Sequence, residues 1–164
     1  MKESSSKIVI CGLKGSVNSN PEILSSFPQL QIGVSEFPEL LTKCLPFGSK
    51  MGSFIINNYK KQIVVSYTFK ITQSNGRDDL ASISLLLDKK QDPELFEPIL
   101  KDIIELIENN NLLTDEFLTN NLEAIFHGIE SEEAILLGDL ELNLEKYFKS
   151  RKEKRKPKLK GSFF

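Results

Sequence analysis

Several residue types that build catalytic and metal sites are rare in this sequence. Its 164 residues include no tryptophan, one histidine and two cysteines, and Cys11 and Cys44 stand far apart without a CxxC motif. A structural zinc site needs four closely arranged nitrogen or sulfur ligands. We therefore expect no metal and no cofactor, and we expect both cysteines to be small buried residues of a reducing compartment.

Long apolar runs are also missing. Residues 1–6 are polar, unlike the apolar core of a signal peptide. No segment approaches the roughly 20 consecutive apolar residues that a membrane-spanning helix needs. These absences predict a cytoplasmic protein, and its 40% hydrophobic and 27% charged residues suit an ordinary folded domain.

Residues 7–17, KIVICGLKGSV, look like the first strand and glycine loop of a nucleotide-binding protein. A phosphate-binding P-loop has the pattern GxxxxGK[ST], in which the lysine reaches the phosphates and the hydroxyl binds magnesium. Aligned on Gly12, this chain has Val17, Asn18 and Ser19 at the last three positions, so only the serine fits. The segment therefore predicts a strand that runs into a turn, without a nucleotide site.

Candidate catalytic side chains are few and are not assembled into a site. His127 lies on a predicted helix beside core positions, where a structural role is the simpler interpretation. Two pairs of carboxylates fall in acid-rich segments that are typical of a solvated face. They are Glu132 with Glu133, and Glu141 with Glu145. Because no nucleophile stands with a base and an orienting group, we do not expect the chain to be an enzyme by itself.

The net charge of −2 conceals an uneven distribution. Residues 146–160 contain nine lysines and arginines and one acid, Glu153, which leaves 12 cations and 22 acids, about −10, in the rest of the chain. Such an acidic body excludes a broad nucleic-acid interface. The basic tail is either a solubilising terminus or a segment attracted to an anionic membrane surface. In the second interpretation the membrane-binding residues are Lys149, Arg151, Lys152, Lys154, Arg155, Lys156, Lys158 and Lys160.

Hydrophobic patterning predicts strands in the first half of the chain. Residues 8–11 form a short apolar run typical of a buried strand, and residues 30–34 form a second candidate strand. Ser35 is a candidate N-cap for a short helix over residues 38–45, which stops before Pro46.

The clearest pattern is a three-stranded antiparallel meander. Phe54 and Ile56 mark its first strand, a polar turn follows at 57–60, and a long alternating strand starts near Gln62. The loop 73–79, QSNGRDD, contains an Asn-Gly pair, which is a strong hairpin signal before a third strand. One face of the two long strands carries Ile63, Val65, Tyr67, Phe69, Ile71, Ala81, Ile83, Leu85 and Leu87. We expect the opposite, polar face of the long strand to be solvated or lightly covered.

The second half of the chain changes to helical periodicity. Asp92 and Pro93 begin a first amphipathic helix that ends at the asparagines 109–111, and Thr114 caps a second helix. Ser131 marks the start of a third helix. The following LLGDLELNLEKYF fits both a helical and an alternating pattern, and we assign it to helix.

The grouping of strands and then helices predicts an α+β fold, in which helices cover a mainly antiparallel sheet. We expect residues 1–6 to be disordered and residues 7–148 to form one domain with a C-terminal helical extension. Residues 149–164 have too few apolar side chains to fold and should form a disordered basic tail.

Two stretches and the order of elements resemble the longin domain. NPEILSSFP, residues 20–28, resembles the GPxxLxxxP stretch of DENN-related and trafficking-regulator longin domains, with Asn20 in place of the usual glycine. RDDLASISLLLD, residues 77–88, resembles the last strand of nitrogen-permease-regulator-like and folliculin longin domains, and of longin-like proteins from archaea. The resemblance covers roughly residues 7–129. It implies a sheet of about five strands, sandwiched by one short helix and two C-terminal helices.

The resemblance implies a non-enzymatic interaction module of trafficking or signalling. Its partner would be a small Ras-like GTPase, or another longin or roadblock-type domain, with a dimer as one form, bound through the exposed strand and the short-helix side. In folliculin-like domains an arginine acts on a GTPase partner, and Arg77 matches that place. Arg77 would then stimulate GTP hydrolysis in trans as an arginine finger.

Two alternatives stand beside this interpretation. From the residues alone, Arg77 is most simply an ordinary charge at an Asn-Gly turn. The alternative function is a scaffold that its basic tail tethers to membranes as a peripheral protein, without a catalytic role.

Overall fold

Five antiparallel strands form the main sheet of the computed structural model, which describes residues 6–13, 21–30, 33–46, 48–72 and 78–149. The strands are β1 (Lys7–Leu13), β2 (Pro21–Phe27), β3 (Phe54–Tyr59), β4 (Gln62–Thr72) and β5 (Asp78–Asp88). Their order across the sheet is β2-β1-β5-β4-β3, and every pair is antiparallel. A separate two-stranded sheet consists of β6 (Ala134–Leu137) and β7 (Leu140–Asn143).

The helices of the described part are α1 (Phe37–Cys44), α2 (Phe96–Asn109) and α3 (Asp115–Ser131). A 3-10 turn at Val34–Glu36 leads into α1, and another at Pro93–Leu95 leads into α2. A single helical turn at 145–149 follows β7. Among the described residues, none of these helices is long and apolar enough to span a lipid bilayer.

The two faces of the main sheet are buried against different helices. One face packs on α2, α3 and the β6–β7 hairpin, and this main core includes Ile8, Ile10, Val65, Phe69, Ile83, Leu85, Ile99, Ile103, Leu118, Ile125 and Ile135. The other face packs on α1 through a smaller core of Val9, Cys11, Leu40, Cys44, Leu45, Tyr59, Val64 and Leu86. The predicted α+β class and five-stranded antiparallel sheet are therefore confirmed.

The predicted meander is β3-β4-β5, and the apolar alternation of β4 and β5 faces the main core as expected. The opposite face of β4 is more deeply covered than its polar residues suggested. Ser66 and Thr68 have no exposed surface, and α1 packs on this face of the sheet. The Ser66 hydroxyl shares a 2.7 Å hydrogen bond with the hydroxyl of Ser84 and also reaches the Lys43 carbonyl at 3.4 Å.

Of the three predicted helix caps, Thr114 is confirmed, whereas Asp92 caps the 3-10 turn Pro93–Leu95 and α2 begins only after that turn. The Asp92 carboxylate accepts from the backbone N–H of Glu94 at 3.2 Å, and the Thr114 hydroxyl accepts from the N–H of Phe117 at 3.0 Å. The Ser35 cap is wrong, because Ser35 lies inside the 3-10 turn and α1 begins two residues later. The Glu36 carboxylate accepts from the N–H of Gly33 at 3.1 Å and so stabilises that turn instead.

The second strand lies earlier than the predicted 30–34. Leu30 is outside any strand and Val34 begins a 3-10 turn, whereas β2 spans Pro21–Phe27. A register shift next to Ile10 makes Leu24 an extra residue in β2. Ile23 packs on the smaller core and Leu24 on the main core, so apolar residues occupy both faces of β2 and its sequence lacks the apolar–polar alternation that identifies a strand.

The helix predicted to begin at Ser131 is also wrong. Ser131 is the last residue of α3, and Glu132, at φ +58°, ends the helix in the left-handed conformation. The chain then forms the β6–β7 hairpin, whose two-residue turn starts with Gly138 at φ +63°. Of the expected helical extension, only the turn at 145–149 is helical.

Candidate interaction surface

The residues singled out as an arginine finger and a membrane anchor fall mostly outside the described part of the chain. Arg77 lies outside it, although the hairpin that carries it is described up to the pairing of Thr72 with Asp78. Of the proposed membrane-binding residues only Lys149 is described, and it is exposed. Outside the description are Arg151, Lys152, Lys154, Arg155, Lys156, Lys158 and Lys160. Both assignments remain predictions.

The residues weighed as catalytic candidates occupy structural or solvated positions. His127 is exposed on α3, its ring lies edge-on to Phe27 with centroids 5.4 Å apart, and its Nε2 is 3.6 Å from the Glu123 carboxylate. The paired acids Glu132, Glu133, Glu141 and Glu145 are all exposed. Within the described ranges, no three His, Cys, Asp or Glu side chains are grouped so that they could hold a metal.

The free edge of β3 carries an unpaired row of backbone groups. Thr68 donates to the Ser53 carbonyl at 3.0 Å, which fixes Ser53 as a hydrogen-bonded partner of β4. Because hydrogen-bonded residues alternate along an antiparallel pair, Ile55, Asn57 and Tyr59 also bond to β4. Phe54, Ile56 and Asn58 therefore direct their N–H and C=O groups away from β4. In the described part of the chain no strand pairs with that side of β3.

The side chains of β3 itself are uncharged, and the nearest lysines in the sequence, Lys50 and Lys60, lie beyond its two ends. β3 reads FIINNY, with no charge and no proline, and Ile56 is 43% exposed. Met51, just before the strand, is 59% exposed. Exposed sheet edges are normally protected by charges, prolines or bulges. The opposite edge, β2, has such protection in Pro21, Glu22 and its bulge, so β3 is the unprotected edge of the sheet.

The start and the end of α1 are fixed beside β3. The Lys60 ammonium, in the β3–β4 turn, forms a short charged hydrogen bond with the Glu36 carboxylate. This bond lowers the pKa of Glu36 and raises that of Lys60. At the other end, the Asn57 amide donates to the carbonyl of Lys43 at 3.3 Å. The edge strand and the short helix thus form one connected surface.

A groove of about 380 Å³ lies at the other side of the sheet, between β2 and α1. Its apolar lining includes Ile23, Leu30, Phe37 and Leu41, with polar groups from Glu22 and Ser26. This volume is at the small end of the range of ligand sites, about 300–1,000 Å³. The groove lies at the β2 edge of the sheet, opposite the β3 edge, and α1 contributes Phe37 and Leu41 to it.

The sequence signals for this surface were incomplete. Phe54 and Ile56 indicated the strand, but the edge position of β3 depends on the strand order of the whole sheet.

No protein-family model matches the chain, and no curated protein matches it either.

Proposed function

We propose that this chain is a longin-like interaction module, which binds a small Ras-like GTPase or another longin domain through the β3 edge and the adjoining side of α1. The order of elements supports the longin-like part of the proposal. Two strands, a short helix, a three-stranded meander and two long helices follow one another, with the short helix and the long helices on opposite faces.

The uncharged free edge of β3 is the observation that carries the proposal. A partner strand added to Phe54, Ile56 and Asn58 would gain main-chain hydrogen bonds, as in other cases of strand addition. The exposed side chain of Ile56 would be buried by the same contact. Arg77, in the hairpin loop after β4, is the residue we assign to stimulating hydrolysis when the partner is a GTPase.

The test is a pull-down from native cytoplasm with three purified chains: wild type, Ile56→Lys and Leu136→Lys. Lysine on a sheet edge opposes strand pairing. Leu136 is the matched control, because it is 61% exposed on β6, away from β3. We expect wild type and Leu136→Lys to recover a Ras-like GTPase or a longin-domain protein, and Ile56→Lys to recover it at least about tenfold less, which is about 1.4 kcal/mol of binding.

A second variant, Asn58→Pro, removes a backbone donor that points away from β4 and so spares the β3–β4 ladder. It should melt close to wild type and also lose the partner. Equal recovery by wild type and Ile56→Lys would refute the β3 surface. If neither a Ras-like GTPase nor a longin-domain protein is recovered by wild type, the proposed partner class is wrong.

A further inference from the structure

The fold brings the two cysteines together, although 32 residues separate them in the sequence. Cys11 lies on β1 and Cys44 ends α1, and both side chains are fully buried in the smaller core. Their thiols are close enough to share a hydrogen bond. Both cysteines are free thiols in this structure.

The ladder positions of the neighbouring serines place Cys11 and the C-terminal end of α1 over the same part of the sheet. Cys11 stands opposite Ser82 of β5, and Ser84 lies two residues further along the same face of that strand. Cys44 lies beside Ser84, whose hydroxyl bonds Ser66. Ser66 in turn reaches the carbonyl of Lys43, the residue before Cys44. The pairing of β1 with β5 and the hydrogen bond that holds the end of α1 therefore bring Cys11 and Cys44 to the same part of the smaller core.

The two thiols differ in character. The hydrogen bond that Cys11 donates to Cys44 raises the pKa of Cys11, to which burial also contributes, and lowers the pKa of Cys44. The thiolate is the reactive form of cysteine, so Cys44 is the better nucleophile of the pair. Neither sulfur has exposed surface, so an oxidant can reach the pair only when α1, which has eight residues, opens locally from the sheet.

We propose that Cys11 and Cys44 are a redox site, at which a peroxide oxidant forms an intramolecular disulfide that ties α1 to β1. The Cys44 thiolate attacks one oxygen of hydrogen peroxide, giving a sulfenic acid, and the second oxygen leaves as hydroxide and is protonated to water. The Cys11 sulfur then displaces the sulfenic hydroxyl, which leaves as a second water with the Cys11 proton. In total, two thiols lose two protons and two electrons, and one peroxide becomes two waters.

The experiment exposes the folded full chain to hydrogen peroxide and follows intact mass and non-reduced peptide maps. We expect a product lighter by two hydrogen atoms, with residues 11 and 44 in one cross-linked peptide, and full reversal by dithiothreitol. Cys11→Ser and Cys44→Ser should each give no intramolecular cross-link. In the oxidised wild type, amide hydrogen exchange of α1 should slow, because the helix can no longer open freely from β1.

Three results would overturn the proposal. Thiols that stay reduced in the folded chain while urea-unfolded chain oxidises would show that the pair is only a packing contact. Oxygen addition to Cys44 without a cross-link would show that the sulfurs cannot meet. Covalent dimers on a non-reducing gel, without the intramolecular peptide, would assign the reactivity to two chains. These readouts use the wild-type chain, so they hold even where a serine variant folds poorly.

Discussion

Replacing Gly128 by alanine should destabilise the domain, although alanine is the better helix former. Gly128 is buried in α3 where β6 crosses the helix. A Cβ atom there would lie 2.4 Å from Cγ1 of Ile135, 2.9 Å from the carbonyl oxygen of Ala134 and 3.1 Å from Cα of Ile135. Two of these three neighbours are backbone atoms, which cannot move aside by a change of rotamer.

The size of the effect follows from two opposing contributions. Exchanging glycine for alanine inside a helix gains about 1 kcal/mol from helix propensity. Forcing extra atoms into a packed core costs about 1–3 kcal/mol, and the backbone contacts place this site in the upper part of that range. The net expectation is a loss of about 1–2 kcal/mol, which for a domain of this size lowers Tm by roughly 2–8 °C.

Urea denaturation followed by circular dichroism measures this loss as a lower midpoint with an unchanged m-value. The matched control is the exposed α3 position Asn120, substituted by glycine and by alanine. There alanine should be the more stable of the pair by about 1 kcal/mol. If Gly128→Ala raises stability by the same amount, β6 does not pack against α3 as closely as described, and the reasoning fails.

Three further predictions concern the hairpin loop, the tail and one tyrosine. In single-turnover assays with a GTPase recovered by the chain, Arg77→Ala should lose most of the acceleration of GTP hydrolysis, about 10³-fold or more for an arginine finger. Deleting residues 149–164 should abolish flotation with anionic liposomes at low salt, and high salt should do the same to the intact chain. Burial and the hydrogen bond to Asp102 raise the pKa of Tyr147, so the folded state keeps this proton more tightly than the unfolded state. Its contribution to stability is present below the unfolded pKa of about 10 and is lost as the pH rises above it, so Tyr147→Phe should show a shallower alkaline loss of stability.

Each of these has a contrary outcome. Equal acceleration by wild type and Arg77→Ala, or none by either, contradicts the arginine finger. Flotation that is unchanged by high salt and by deletion of residues 149–164 contradicts the membrane role of the tail. A Tyr147→Phe variant with the wild-type dependence on pH, measured by urea denaturation between pH 9 and pH 12, contradicts the link to that hydroxyl.

The elements that the sequence predicted well are those whose apolar residues lie mainly on a single face. β4 alternates over its length, and Thr114 combines an N-cap with a regular apolar stripe, so local pattern and tertiary position agree. β2 does not meet this condition, because Ile23 packs on the smaller core and Leu24 on the main core, so apolar residues lie on both of its faces. The β6–β7 hairpin was not predicted, because Leu136 is apolar yet exposed and so interrupts the apolar–polar alternation of β6. A Gly-Asp pair at its turn was the available signal.

The surfaces were harder to predict than the elements, because they depend on contacts distant in sequence. The free side of β3 exists because β4 covers only one of its edges and no described strand follows on the other. Likewise Cys11 and Cys44 looked isolated, and only the packing of α1 across β1 joins them. A sequence read without relatives contains no signal for either arrangement.

The position of β1 between β2 and β5 also determines when the domain can assemble. Ile8 pairs with Leu85, so β1 can pair with β5 only after the chain between these two residues has been synthesised. Until then β1 and β2 form at most an isolated hairpin, which is marginally stable in water. Pairing over such a separation slows folding, and the apolar β1 stays exposed to aggregation or to chaperones in the meantime. β1 is thus made well before the strand that covers its second edge.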